Sequence, residues 1–110
     1  MESEIIAVTM PSVPGYRIVR VHGIVNGMTA RTRGLGGKIL GSLQSLAGGE
    51  VSAFTKELEK AREEALQRLK NQAKQLKANA VVGIDFETTE VLEGVVLVAA
   101  HGTAVTIERE

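Results

Sequence analysis

The sequence has no cysteine, three aromatic residues, two prolines and no net charge. Each shortage closes off a class of function. Without cysteine there are no disulfides and no thiolate metal sites. The aromatics are Tyr16, Phe54 and Phe86, too few for stacking on bases or sugars. Thirteen basic and thirteen acidic residues cancel, so no overall field draws the chain to nucleic acid or an anionic membrane. No run approaches 18 apolar residues, so a membrane-spanning helix is not expected. MESEIIAVTM is acidic and does not have the layout of a signal peptide, and the expected location is cytoplasmic. A chain of 110 residues fits one domain, 1–110, of a size at which oligomerisation helps stability.

What is present is a long charged stretch, Val51 to Lys77, with neither Pro nor Gly. Its apolar positions are Phe54, Leu58, Ala61, Ala65, Leu69, Ala73 and Leu76. Steps of three and four predict one amphipathic helix, roughly 39 Å long at 1.5 Å per residue. Ser52 is placed to cap its start and Asn79 its end. The small alanines allow close approach to a sheet.

Around the helix lie β-type segments. Ile5 to Thr9 reads as an edge strand that Pro11 and Pro14-Gly15 interrupt. Tyr16 to Val25 is rich in β-branched residues and reads as a strand, with Asn26-Gly27 as a turn after it. Residues 29–36 read as a loop. A short helix is expected over about 37–46, on the spacing of Ile39, Leu40, Leu43 and Leu46, with Gly48-Gly49 as its stop. Ala80 to Glu90 and Val95 to Glu108 read as two more strands, joined by a hairpin turn at Glu93-Gly94. The last strand is apolar or small on both alternations from Val95 to Val105, apart from His101. That suggests burial on both faces, either as a central strand in a two-sided core or, the preferred reading with so few helices, with the second face between subunits. The fold class is α+β: an antiparallel sheet packed against one long helix plus a short glycine-rich helix.

Motifs that carry chemistry are sparse. Gly34-Leu35-Gly36-Gly37-Lys38-Ile39 does not meet the phosphate-loop pattern, because Ile39 stands where Ser or Thr is needed. His22 and His101 lie in strands, and Asp85 and Glu87 share one face of the third strand. These four are the candidate metal ligands, for a divalent ion, and a His–carboxylate pair forms if the hairpin register sets His101 beside Asp85. A structural, hydrogen-bonded role for the histidines is the competing reading. Arg17, Arg20, Arg31, Arg33 and Lys38 form a local basic group that suits an anionic ligand or ion pairing at an edge. No Ser or Thr stands out as a nucleophile. An enzyme reading has only the glycine-rich segment 28–49, as a lid, to recommend it.

The run GGEVSAFTKELEKAREEALQRLKNQAKQLKANAVVGIDFE resembles the signature of the YbjQ-like family, small proteins of unknown function labelled heavy-metal-binding. Gly23-Ile24-Val25-Asn26-Gly27 and His101-Gly102-Thr103-Ala104-Val105 extend the likeness over nearly the whole chain. The resemblance implies a dodecin-like subunit and a ring-shaped homo-oligomer, a pentamer or a pair of pentamers. It implies a metal ion or small ligand at subunit interfaces without a fixed ligand set, or a purely structural ring. The expected partner is the chain itself, with neither nucleic acid nor membrane.

Overall fold

A computed structural model describes residues 4–32 and 52–110. Within these residues, four strands and one helix follow in the order β1 (Ile6–Ala7), β2 (Tyr16–Thr32), α1 (Ser52–Gln75), β3 (Ala80–Leu92) and β4 (Val95–Arg109). The strands form one sheet in the order β1-β3-β4-β2. β4 pairs antiparallel with both β3 and β2, and β1 adds a short parallel edge to β3. The architecture is the expected α+β, with a mixed rather than wholly antiparallel sheet. The helix expected over 37–46 and most of the segment 28–49 lie outside the described residues.

The helix lies on one face of the sheet. Ala61, Ala65, Leu69 and Ala73 are fully buried and meet Val25, Val81, Val98, Ala100 and Ala104. Just past the helix, Lys77 is a non-glycine residue in the left-handed region with φ 69°. Lys77 N–H donates to Lys74 O at 3.0 Å, and Ala78 N–H to Ala73 O at 3.1 Å. These are the two bonds of a Schellman stop. Asn79 does not cap the helix. Its side chain donates to Ile107 O (3.0 Å) and accepts from Ile107 N–H (2.8 Å), tying the turn to β4 instead.

β2 continues through Asn26-Gly27 to Thr32, where a turn and a loop were expected. Gly27 does not make a turn. A Cβ there would lie 2.0 Å from Ala65 O and 2.6 Å from Leu69 N. The helix backbone rests on the strand at this point, and only a hydrogen fits between. Arg68 then donates to Met28 O, and Gln72 Oε1 accepts from Asn26 N–H at 3.0 Å. The helix thereby satisfies part of the outer edge of β2.

A cluster of charges pins the helix start to β2. Arg31 reaches Glu57 at 3.2 Å and Glu64 at 2.6 Å, and Glu64 also meets Arg68 at 2.5 Å. Thr29, buried, donates to Glu64 at 3.2 Å. The Arg31 Nε is buried without a hydrogen-bond partner.

Among the described residues, the opposite face of the sheet is covered at one end only. There Val13 packs on Ala80, Val82, Val105 and Ile107, with Val8 and Tyr16 against them.

Candidate functional site

The uncovered part of that face is the place where the candidate residues gather. Along β4 the side chains alternate, and Val96, Val98, Ala100, Gly102 and Ala104 turn toward the helix. Val95, Leu97, Ala99, His101 and Thr103 therefore face the open side, each half-buried. Cross-strand register fills in the rest. His101 is opposed by Asp85 on β3 and by Asn26 on β2. One row along, Ala99 is opposed by Glu87 and Met28. Ile24 stands opposite Thr103, and Val21 opposite Val105.

A bulge creates the central row. Between Val82 and Asp85 the register with β4 slips, and Gly83 takes φ 64°. Val82 packs in the cluster on the open side, whereas Ile84 packs against the helix side. The extra residue reverses the phase of the strand and brings Asp85 to the face that carries His101. Without it Asp85 would point at the helix.

Three of the four candidate ligands thus share one face: His101, Asp85 and Glu87. His22 does not join them. Its Nε2 lies 2.7 Å from Thr106 Oγ1, and Thr106 falls on the other alternation of β4. Asp85 Oδ1 accepts from Phe86 N–H at 2.9 Å. Among the described residues no group of three His, Cys, Asp or Glu side chains is close enough to hold a metal ion. Among the described residues, register brings one His–carboxylate pair, His101 and Asp85, to the row.

The basic group is dispersed. Arg17 pairs with Glu108 at 3.4 Å on the surface, Arg31 belongs to the helix cluster, and Arg20 is exposed. Arg33 and Lys38 lie outside the described residues. Sequence reasoning missed Asn26 and Met28 as members of the open face, because Asn26-Gly27 has the composition of a turn. The available signal was the unbroken β-type run from Tyr16 onward.

Along β2 the surround of the row is apolar, whereas β3 carries Glu87 beside it. Ile24 is 81% exposed, Val21 63% and Met28 49%. No helix among the described residues is long and apolar enough to cross a membrane.

Among the described residues, a small α+β fold with one helix on a four-stranded sheet, and a polar row on the sheet's open face, is the class these features define. The sequence of this chain from 5 to 108 matches the YbjQ family model, described as “Putative heavy-metal-binding”. It is 49% identical over 107 residues to a UPF0145 protein of Pyrococcus furiosus, covering 97% of this chain and 94% of that one. A UPF0145 protein of Methanocella arvoryzae is 42% identical over 110 residues, covering 100% and 92%. The chain belongs to this YbjQ-like, UPF0145 family. A crystal structure from Pediococcus pentosaceus, a protein of unknown function assigned to the DUF74 family, has the same fold with a TM-score of 0.62. It is 20% identical and covers 94% of this chain and 98% of its own.

Proposed function

We propose that the chain is a subunit of a ring-shaped homo-oligomer whose open sheet face is covered by neighbouring copies, in the cytoplasm. The carrying observation is the apolar strip of Val21, Ile24 and Met28 along β2, beside half-buried Leu97 and Ala99 on β4. Burying such a strip against a copy stabilises by about 25 cal/mol per Å² of apolar surface removed from water. Large apolar side chains grouped in the open on one sheet face favour an interface there. A head-to-tail contact that closes by rotation gives a ring.

In this reading the Asn26–His101–Asp85 row is the place for a small ligand or divalent metal ion between copies. The family description supports a metal. Imidazole and carboxylate suit zinc or a similar borderline ion, and a second copy would have to complete the ligand set. The chain then holds and presents a ligand rather than turning over a substrate.

Light scattering at micromolar concentration should give a mass several times that of the monomer. Ile24→Glu should reduce it to the monomer while the circular dichroism stays unchanged. A monomeric native protein would end the proposal. Elemental analysis of the native oligomer, with His101→Ala as the control, tests the metal separately.

A further inference from the structure

The helix covers only part of the face it lies on. Strands stand about 4.8 Å apart and a helix with its side chains is about 10 Å wide, so one helix spans about two strands. Contact at Gly27 sets α1 over β2 and β4. On β3 this leaves Phe86 half-buried and Thr88 exposed on the helix side.

Between α1 and β3 opens a cleft of about 320 Å³, lined by Glu59, Arg62, Glu63, Leu66 and Phe86. A second recess of about 240 Å³, with Leu58, Thr88 and Val98 in its wall, continues it along the helix. Arg62 borders both, and its guanidinium carbon lies 4.3 Å from the centroid of the Phe86 ring. The ring face is therefore already a cation site, occupied from within. Glu59 and Glu63 flank it, and no ion pair engages either among the described residues. Two carboxylates against one guanidinium leave the cleft negative, over a floor of Leu66 and Phe86.

We propose that this cleft binds an organic cation of the linear alkylammonium class, a diamine or polyamine. Its ammonium group takes the place of Arg62 on the Phe86 ring, between Glu59 and Glu63. Its alkyl chain lies along Leu66 and Leu58. An inorganic cation would satisfy the carboxylates but gain nothing from the apolar floor, and an anion would meet both carboxylates. The cleft is on the helix side of the sheet, so the site does not depend on the assembly proposed for the open face.

Calorimetric titration of the full chain with spermidine, at constant ionic strength, tests the site. One saturable site per chain is expected, with magnesium chloride unable to displace the ligand. Phe86→Leu should weaken binding about fivefold, as loss of a cation–π contact does. The exposed Glu63→Gln change should weaken it as well, without affecting the thermal midpoint. Arg62→Gln should strengthen binding, because the competing guanidinium is gone. Displacement by magnesium, equal weakening by the distant Glu108→Gln change, or weaker binding in Arg62→Gln would each overturn the proposal.

Discussion

Gly27 carries a hydrogen where any other residue would place a carbon inside the backbone of α1. Its neighbours there are a helix carbonyl and a helix amide, which cannot turn aside as a flexible side chain would. Gly27→Ala should therefore lift the helix from β2. It is expected to cost about 3 kcal/mol or more, the upper end of overpacking, in urea denaturation. Lys77 presents the reverse situation. It adopts φ 69° at the helix stop, a conformation that costs an L-residue about 1 kcal/mol and costs glycine little. Lys77→Gly should stabilise the chain by up to that amount, read as a higher urea midpoint with an unchanged slope.

At the scale of elements, the join between α1 and β2 has an apolar half and a charged half. Arg31 is the centre of the charged half, with two glutamates and a hydrogen-bonded neighbour in Thr29. Glu64 is about one-third exposed, so solvent screens the pair in part. Arg31→Ala should cost about 1 to 2 kcal/mol, and Arg31→Lys should recover less than half. Thermal melts of the two variants, alone and with Glu64→Gln, would give the coupling.

These elements differ in how far the sequence discloses them. α1 was legible because its alanines and leucines keep a 3.6-residue period, and Glu93-Gly94 was legible as a hairpin turn. The full length of β2 was not. Asn26-Gly27 has turn composition, and the reason for Gly27 exists only once Ala65 and Leu69 lie over it. Asp85 and His101 could be paired only conditionally, since their meeting depends on the bulge at Gly83. Asn79 reads as a cap by type, yet β4 takes its hydrogen bonds.

For the whole molecule, the two faces of the sheet are unequal. One is packed by the helix, and the other exposes Val21, Ile24 and Met28 beyond the reach of Val13 and Tyr16. If copies cover that face, folding and association are coupled by mass action. The thermal midpoint should then rise with protein concentration, each tenfold step adding about 1.4 kcal/mol per association event. Scanning calorimetry across two decades of concentration checks this, with Ile24→Glu expected to show no dependence.

The sheet order also bears on how the chain folds. β3 and β4 are neighbours in the chain and can meet early as a hairpin. β2 reaches β4 only by closing the long stretch from Thr32 to Val95. Loop closure of that length is slow compared with hairpin formation. Contact order therefore favours the C-terminal hairpin forming before β2 docks beneath the helix at Gly27, and pulsed hydrogen exchange should protect β3 and β4 before β2.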